Sequence, residues 1–291
     1  MTELIGVDWG TSNLRIMRLG ADGAVLDRRV DPRGAGRLDP DEFAGVLEEV
    51  AGDWLGLAPV LIAGMAGSRQ GWMEAPYAFC PSGAEGLAAR LARPDAARDI
   101  RIVPGVALTP RGLGDVMRGE ETQALGLFGA RDSGLMVAPG THSKWVRVDN
   151  GAIAGFRTHL TGELFAAVRQ ATLIGRDMGE PGGDDAAFDE GVRLALSDPA
   201  ITAHLFGVRV RRLADDLSHG AAADFLSGLL IGAELAAEGA HRDHPVQVVG
   251  EAALSRRYVR ALALAGFIDV GVADGETAVA RGLHRIWKAM P

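Results

Sequence analysis

The chain carries the same short pattern twice: a strand, a Gly-Thr pair, a second strand and then a two-residue turn. The first copy occupies residues 4–16 and precedes Asp22-Gly23, and the second occupies residues 135–146 and precedes Asn150-Gly151. Both turn sequences favour hairpins, because Asp, Asn and Gly tolerate the positive φ that such a turn requires. Each Gly-Thr pair is therefore predicted at the tip of a β-hairpin, where backbone N–H groups can approach an anion closely. Two such tips predict a duplicated pair of domains that bind phosphates from both sides.

The composition is that of a globular protein with one large or two medium domains, at 291 residues of which 47% are hydrophobic. The formal net charge of −8 argues against a nucleic-acid partner, which requires a basic face. Cys80 is the only cysteine, so no internal disulfide can form and a reducing compartment is expected. The sequence shows no signal peptide and no apolar run of about 20 residues, which predicts no membrane partner and a cytoplasmic location. The oligomeric state is left open, with a homodimer as one option.

The predicted elements follow the same order in both halves of the chain. In the first half three strands precede a helix opened by Asp39-Pro40, whose apolar face extends to Leu57, and a buried strand at 60–64 follows. The second half repeats three strands and a helix that opens near Thr161. Further predictions are an exposed loop at 176–191, a helix at 221–239, strands at 246–249 and 267–270, and a last helix at 277–288. The order predicts an α/β fold of two repeated β-β-β-α-β-α-type domains.

Asp8 ends the first buried strand and directly precedes the first Gly-Thr tip. A carboxylate in this place loses hydration unless a positive group meets it, and Mg²⁺ held directly or through water is one such group. The alternative is that Asp8 caps a local turn or pairs with Arg15. The neighbouring Gly10, Thr11 and Ser12, together with the second copy of the pattern, favour the metal interpretation.

The second tip, Gly140-Thr141, is followed by His142 and Lys144. Alone it would be a plain hairpin turn, and His142 a structural histidine. Lys144 is the stronger candidate for a phosphate contact, although it could also lie on the strand surface. Later in the chain, Gly250 and Ala252 follow a short strand and open a helix, a turn that allows a ring or ribose to approach the backbone.

Two acidic residues, Glu120 and Glu121, lie at the mouth of a helix just before the second hairpin. Acidic residues in a first helical turn often only complement the helix dipole. The chemical alternative is a general base, because a carboxylate that accepts a hydroxyl proton assists attack on a γ-phosphate. The sequence does not decide which of the two carboxylates has that role.

The segment that follows the buried strand at 60–64 is rich in glycine and aromatic residues and shows no clear periodicity. It contains Ser68, Arg69 and Trp72. Arg69 can bind a carboxylate with its planar fork, and Ser68 can hydrogen-bond a hydroxyl. The segment is therefore predicted to be a substrate loop, and the alternative is a surface loop in which Trp72 packs.

These motifs together resemble the sugar-kinase, heat-shock-protein and actin superfamily. The corresponding segments are the first phosphate motif at 6–12, the second phosphate motif at 138–144, the adenosine motif at 248–253 and the second connecting helix at 274–282. Within the superfamily the sequence is most similar to the 2-dehydro-3-deoxygalactonokinase family, through residues 7–15, 64–77, 117–123 and 139–145. Two departures are visible: the adenosine motif lacks the usual double glycine, and Gly119 is followed by Glu where larger carbohydrate kinases have Asp.

The resemblance implies two ribonuclease-H-like domains of the actin-like ATPase fold, with ATP in the cleft between them. The domains would be 1–129 with 276–291, and 130–275. It implies Mg²⁺-assisted, ATP-dependent phosphorylation of 2-dehydro-3-deoxy-D-galactonate at its terminal hydroxyl, which gives the 6-phosphate in galactonate breakdown. The alternatives are a kinase of the same superfamily for another sugar acid or an amino sugar, and an ATP-binding or phosphatase member without kinase activity.

The resemblance also assigns roles to residues. Asp8 would hold Mg²⁺ through water, Glu120 would deprotonate the attacking hydroxyl, and Lys144 would lie near the transferred phosphate. Phosphate contacts would come from Gly10, Thr11, Ser12, Gly140, Thr141 and His142, and adenosine contacts from Gly250 and Ala252. The sugar acid would be bound by Ser68, Arg69, Trp72 and Arg118.

Overall fold

Three hydrogen-bonded sheets organise the chain in the computed structural model, which describes residues 1–95, 97–176, 178–198 and 200–290. The strands are β1 (Leu4–Trp9), β2 (Leu14–Leu19), β3 (Val25–Asp31), β4 (Val60–Gly64), β5 (Tyr77–Phe79), β6 (Ala92–Asp95), β7 (Ile100–Ile102), β8 (Gly105–Thr109), β9 (Leu113–Met117), β10 (Gly134–Ala138), β11 (Ser143–Asp149), β12 (Ala152–His159), β13 (Val246–Val248) and β14 (Val270–Val272). The helices are α1 (Phe43–Ala51), α2 (Ala84–Ala88), α3 (Glu120–Leu127), α4 (Thr161–Ala171), α5 (Asp185–Ser197), α6 (Ile201–Leu213), α7 (His219–Ala237), α8 (Ala252–Leu264) and α9 (Gly275–Lys288).

The two larger sheets share one strand order, which is the structural counterpart of the repeated sequence pattern. The first has the order β3-β2-β1-β4-β7-β6, and the second has the order β12-β11-β10-β13-β14. In the first sheet β1, β2 and β3 pair antiparallel, whereas β4 and β7 run parallel to β1. In the second sheet β13 and β14 are likewise parallel. The repeated β-β-β-α-β order confirms the predicted α/β fold class.

Asn150-Gly151 forms the predicted two-residue turn, whereas the first reversal is a three-residue loop, 21–23, closed by Gly20 and Ala24, in which only Gly23 takes positive φ. Gly23 has a φ of 78°, and Asn150 and Gly151 have φ values of 48° and 72°. Positive φ at these positions lets the strands on either side of each turn pair without splaying. The turns join β2 to β3 and β11 to β12, so each connects the second strand of a Gly-Thr hairpin to the third strand of its sheet.

The chain forms two compact units. Unit 1 comprises Met1–Met136, Val146–Arg157 and Ala273–Pro291, and unit 2 comprises Val137–Trp145 and Thr158–Val272. The division passes through β10, β11 and β12. The predicted domain boundaries, at 129/130 and 275/276, stay a prediction.

Strand alternation in β1 decides which side chains enter the core of unit 1. Trp9 is fully buried and packs on Phe43 of α1, with ring centroids 4.7 Å apart. Burying side chains of this size contributes roughly 1.5–3 kcal/mol each. Gly6 faces the other way, because a Cβ there would lie 3.0 Å from Cδ1 of Leu283 on α9. Asp8 shares the Gly6 face and sits at the carboxyl end of the strand.

The core of unit 2 is built around α7. By length and composition alone this helix could cross a membrane, but 72% of its apolar window is buried in the protein. It packs closely on α5, since a Cβ on Gly228 would lie 2.1 Å from the carbonyl oxygen of Phe188. Two fully or nearly buried carboxylates, Asp224 and Glu234, accept hydrogen bonds within the unit. These features identify α7 as a core helix.

The structure corrects two predicted boundaries near chain reversals. The helix predicted to extend to Leu57 ends at Ala51, where Gly52 takes a φ of 51° and turns the chain, and Leu57 is 54% exposed. The strand predicted at 267–270 lies at Val270–Val272. Its first predicted residue, Phe267, instead packs on Trp145, with centroids 5.8 Å apart.

The predicted loop at 176–191 is wrong over its second half, because α5 begins at Asp185. Asp184 caps this helix by accepting a hydrogen bond from the Ala187 N–H at 3.0 Å. Phe188 and Val192 then follow at helical spacing and are buried. The glycines at 182–183 resemble a loop, which is why the start of this helix was not predicted.

The small mixed sheet β5-β8-β9 was also not predicted from the sequence.

Candidate active site

Backbone hydrogen bonds from the turn that follows β3 support the first Gly-Thr tip. The N–H of Ala35 donates to the Gly10 carbonyl at 2.9 Å, and the N–H of Gly36 donates to the Thr11 carbonyl at 3.0 Å. Gly34 lies so close that a Cβ there would be 2.3 Å from the carbonyl carbon of Ser12. The turn thus binds the Gly10 and Thr11 carbonyls, while the side chains of Thr11 and Ser12 stay exposed. Hydroxyls in this arrangement can contact an anion.

Asp8 lies next to this tip and pairs with Arg15 at 3.1 Å. Its side chain is only 20% exposed, and burial raises the pKa of the carboxyl above its usual value. The Arg15 charge opposes that rise in pKa and the nearby Glu276 charge adds to it. The ion pair anticipated as the alternative is therefore present. Arg15 is 39% exposed, so its guanidinium can hydrate when it leaves the pair.

The donor set around Asp8 suits a magnesium ion that keeps much of its water. Mg²⁺ is commonly bound by one or two carboxylates together with waters and substrate phosphate oxygens. Among the described residues, no group of three His, Cys, Asp or Glu side chains could hold a metal ion. A single carboxylate at Asp8, beside the exposed Thr11 and Ser12, fits a metal that keeps most of its water ligands.

The mouth of α3 lies at the same edge of the first sheet. Trp9 and Gly64 are paired at the carboxyl ends of β1 and β4. A Cβ on Gly119 would lie 3.5 Å from the Cα of Gly64. The residue that precedes α3 is therefore adjacent to the strand ends that follow Asp8 and precede the predicted substrate loop.

The two carboxylates at this helix start occupy different environments. Glu120 accepts a hydrogen bond from the Arg118 N–H at 3.1 Å and is partly exposed. Glu121 is fully buried, accepts from the Gly119 N–H at 2.6 Å and is also bonded by the Thr122 hydroxyl. Burial, followed by the neighbouring Glu120 charge, raises the pKa of Glu121 to about 7. Exposure favours Glu120 as the carboxylate that can meet a substrate.

Arg118 braces the predicted substrate loop. Its Nη2 donates to the Ala75 carbonyl at 3.0 Å, and its guanidinium lies 4.8 Å from the centre of the Tyr77 ring. Its Nη1 is buried and has no hydrogen-bond partner in the described part of the chain. A buried guanidinium N–H without an acceptor costs free energy, and this one lies against Gly67 of the loop.

The other predicted substrate residues divide between exposed and packed positions. Arg69 is 81% exposed in its side chain and lies 3.6 Å from Glu74. Ser68 is half-buried at the end of a short 3-10 turn and its carbonyl accepts from the Gly71 N–H. Trp72 packs on Phe43 of the unit 1 core, with ring centroids 6.4 Å apart. Trp72 therefore anchors the loop.

The second tip is supported by the segment that follows the third strand of its sheet, as the first tip is, but here that segment is the first turn of α4. The Glu163 N–H donates to the Thr141 carbonyl at 2.8 Å. A Cβ on Gly162 would lie 2.2 Å from the Gly140 carbonyl oxygen. The Glu163 carboxylate also contacts Nε2 of His142 at 2.6 Å. The two tips thus share a backbone support as well as a sequence pattern.

Lys144 is placed differently from the exposed tip residues. Lys144 lies on β11 and is only 7% exposed. Its Nζ donates to the Thr158 hydroxyl at 2.7 Å. Its predicted role near the phosphate stays a prediction. The exposed His142 and Thr141 are the side chains that the second tip presents.

A pocket of about 350 Å³ opens beside the second tip. Its lining comprises Gly140, Thr161, Gly162, Phe165, Pro181, Ser227, Leu230, Ile231, Glu251, Ala253, Leu254, Arg257 and Tyr258. The lining is mainly apolar with a few polar groups, which is typical of a site for a planar ring. The predicted adenosine residues Gly250 and Ala252 are exposed at the start of α8, adjacent to lining residues.

Several pocket residues were not predicted from the sequence. Thr161 was assigned only as a helix start, and Phe165, Arg257 and Tyr258 had no assigned role. Arg257 pairs with the buried Asp224, which also accepts the Gly182 and Asp184 N–H groups. Nothing local in the sequence signals these residues, because each is brought to the pocket by packing of α4, α7 and α8.

Comparison with known proteins gives matches over the whole length of the chain. Residues 8–286 match the 2-keto-3-deoxy-galactonokinase family. The 2-dehydro-3-deoxygalactonokinase of Escherichia coli (strain K12) is 37% identical over 289 residues, with 98% of each chain covered. A crystal structure from Sinorhizobium meliloti, described as a candidate 2-dehydro-3-deoxygalactonokinase, is 38% identical with a TM-score of 0.86 and covers 98% of each chain.

A more distant structure shares the fold alone. A protein of Porphyromonas gingivalis, described as a candidate N-acetylglucosamine kinase, is 15% identical with a TM-score of 0.53, covering 97% of this chain and 98% of its own. The family match, in contrast, includes both Gly-Thr tips, the α3 mouth and the loop at 64–77. The chain therefore belongs to the 2-keto-3-deoxy-galactonokinase family.

Proposed function

We propose that the protein is an ATP-dependent kinase that phosphorylates 2-dehydro-3-deoxy-D-galactonate at its terminal hydroxyl, giving the 6-phosphate, in the cytoplasmic breakdown of galactonate. The observation that carries the proposal is the 37% identity with the Escherichia coli enzyme over 98% of both chains. The paired tips and the exposed carboxylate at the mouth of α3 supply chemistry that such a reaction requires.

Unit 2 is assigned to the nucleoside end of ATP. The pocket beside Gly140 would bind the adenine and ribose, with Gly250 and Ala252 at the start of α8 against the nucleoside. Phe165 and Leu254 provide apolar surface for a ring, and Arg257 provides a planar cation. The tip residues Gly140, Thr141 and His142 would contact phosphate oxygens.

Unit 1 is assigned to the metal and to the acceptor. Asp8 would hold Mg²⁺, with Gly10, Thr11 and Ser12 at the phosphates. When bound, Mg²⁺ neutralises charge on the phosphates of ATP. Arg118 would bind the carboxylate of the sugar acid, with its guanidinium held beside the predicted substrate loop by the Ala75 carbonyl. Ser68 and the exposed Arg69 would contact the rest of the acceptor.

The transfer step follows from these assignments. The terminal hydroxyl oxygen of the sugar acid forms a bond to the γ-phosphorus while the bond from that phosphorus to the β–γ bridging oxygen breaks. The bridging oxygen keeps the electron pair and leaves as part of ADP. The hydroxyl proton passes to the carboxylate of Glu120. Phosphoryl transfer needs little else from the protein than positioning and charge neutralisation.

An acceptor panel tests the proposal. ADP release would be measured with purified protein, ATP and Mg²⁺ against 2-dehydro-3-deoxy-D-galactonate, its gluconate epimer, other sugar acids and amino sugars. The proposal expects the largest kcat/KM with the galactonate derivative and a requirement for Mg²⁺. ADP release that does not depend on any acceptor would point instead to an ATPase, and a different preferred sugar would correct the substrate.

A further inference from the structure

A single buried carboxylate in unit 2 collects hydrogen bonds from four side chains. Glu234 on α7 is only 3% exposed. Its Oε1 accepts from the Ser143 hydroxyl at 2.7 Å and from the indole N–H of Trp145 at 2.6 Å. Its Oε2 accepts from the Tyr258 hydroxyl at 2.8 Å and from the Thr161 hydroxyl. An ionised carboxylate accepts about four hydrogen bonds, so these four donors use its full capacity.

The four donors come from the three segments that surround the candidate nucleotide site. Ser143 and Trp145 lie on β11, directly after the second tip. Thr161 begins α4 and lines the pocket, next to the Gly162 that supports the tip. Tyr258 lies on α8 and lines the same pocket. One carboxylate therefore holds the base of the phosphate tip and two sides of the nucleoside pocket.

All four donors are neutral, so hydrogen bonds from these side chains have to stabilise the buried carboxylate. A buried carboxylate is tolerated only where its hydrogen bonds are made, since each oxygen has lost its hydration. Any displacement of β11, α4 or α8 would leave part of the charge without a donor. The charge thus penalises relative movement of the three segments.

We propose that Glu234 is a positioning residue of the nucleotide site, which couples the phosphate tip at 140–142 to the nucleoside pocket formed by α4 and α8. The proposal rests on the proposed assignment of ATP to unit 2. Glu234 touches no reacting atom and acts through Ser143, Thr161 and Tyr258. Its removal weakens ATP binding without changing how the acceptor is bound.

The end of the same helix offers a matched control. Glu238 directly follows α7, is also 3% exposed and lies 3.0 Å from His159 and 3.6 Å from His241. Unlike Thr161 and Tyr258, neither of these histidines lines the pocket. Glu238→Gln therefore removes a comparable buried carboxylate at the end of the same helix, away from the pocket lining.

The test compares Glu234→Gln, Tyr258→Phe and Glu238→Gln with the wild type for KM of ATP, KM of the sugar acid, kcat and Tm. We expect Glu234→Gln to raise the ATP KM by about tenfold or more, with the acceptor KM within about twofold. Tyr258→Phe removes one donor and should raise the ATP KM by a smaller factor with little loss of Tm. Glu238→Gln should leave the ATP KM unchanged, whatever its effect on Tm.

Two outcomes overturn the inference: an unchanged ATP KM in both Glu234→Gln and Tyr258→Phe, or equal changes in Glu234→Gln and Glu238→Gln. If Glu234→Gln does not fold, Tyr258→Phe alone decides between a raised and an unchanged ATP KM. Failure of the proposed function is distinguishable, because the wild-type protein would then release no acceptor-dependent ADP. Normal wild-type turnover with unaffected variants removes only the role of Glu234.

Discussion

Glu120 and Glu121 accept hydrogen bonds from consecutive N–H groups, those of Arg118 and Gly119, yet one carboxylate is partly exposed and the other has no exposed surface. Adjacent residues at a helix start point in different directions, so the backbone can hold both while only one reaches a ligand. The sequence left the choice of base between them open. The partial exposure of Glu120 favours it as the base, whereas the burial of Glu121 raises the pKa of its carboxyl.

Replacing Glu120 with Gln should lower kcat by about 10²-fold or more, because the amide cannot take the proton of the attacking hydroxyl. The KM of ATP should change little. The measurement is steady-state ADP release with saturating substrates. Glu121→Gln is the matched control, and a larger kcat loss in that variant would identify Glu121 as the base instead.

The raised pKa of Glu121, about 7, predicts a pH-dependent stability. Between its ordinary pKa and this value, the folded state keeps a proton on Glu121 that the unfolded chain has released. The free energy of unfolding contributed by this group therefore falls as the pH rises through that interval, by up to about 3 kcal/mol. Urea unfolding at about pH 5 and about pH 8 would measure the difference.

Glu121→Gln should remove most of this dependence, because the amide resembles the protonated acid and can still bond Gly119 and Thr122. Glu120→Gln deletes the neighbouring charge that raises the pKa of Glu121, so the fall in stability should be smaller and should end at lower pH. A wild-type stability that rises over the same pH interval would contradict this assignment.

Asp8→Ala should abolish turnover while the protein still folds, because the metal loses its carboxylate ligand and the exposed Arg15 can hydrate. Asp8→Asn should behave similarly, since the amide carries no charge. Activity and Tm would be compared across a Mg²⁺ titration. Arg15→Gln is the control: it breaks the ion pair but keeps the carboxylate, and it should retain turnover within about tenfold. An active Asp8→Ala protein would remove the metal role.

Arg118→Lys should raise the KM of the sugar acid by about tenfold or more, because lysine cannot present the paired N–H groups of a guanidinium to a carboxylate. The ATP KM should be less affected. Arg69→Met provides the comparison, since Arg69 is largely exposed and its loss should cost little stability. If Arg69→Met has the larger effect on the acceptor KM, the carboxylate belongs to Arg69.

Gly162→Ala should weaken ATP binding, since the new methyl group would lie 2.2 Å from the Gly140 carbonyl oxygen and force the support away from the tip. Alanine is otherwise favoured over glycine in a helix by about 1 kcal/mol, so a loss of function here would come from the contact. Gly155→Ala on β12, where a Cβ meets nothing within 4 Å, is the control. Equal ATP affinities for the two variants would refute the role of the support.

The repeated hairpins were predictable because their signals are local. Asp22-Gly23 and Asn150-Gly151 mark the two chain reversals, and the apolar run of β1 marks a buried strand. The start of α5 was missed because the glycines at 182–183 resemble a loop, although Asp184 and the spacing of Phe188 and Val192 are helix signals. The capping residue Asp184 indicated a helix start there, but the neighbouring glycines led to the prediction of a loop.

The surroundings of Glu234 could not be predicted for a different reason. Its donors lie 91, 89, 73 and 24 positions away in the sequence. Local sequence would predict only a glutamate near the end of a long apolar helix. The hydrogen bonds exist because β11, α4 and α8 all pack on α7, a relationship that only the three-dimensional structure reveals.

The start of α8 is closed to anions by its own residue. The Glu251 carboxylate accepts hydrogen bonds from the N–H groups of Ala253 and Leu254, which keep its pKa below the usual range. A helix start normally attracts phosphate, but here an incoming phosphate would meet a fixed negative charge. An uncharged nucleoside meets no such opposition, whereas the carboxylate nearest the tip at 140–142, that of Glu163, is already engaged by His142. In the proposed complex the α8 end of the pocket therefore suits the base, and the tip suits the phosphates.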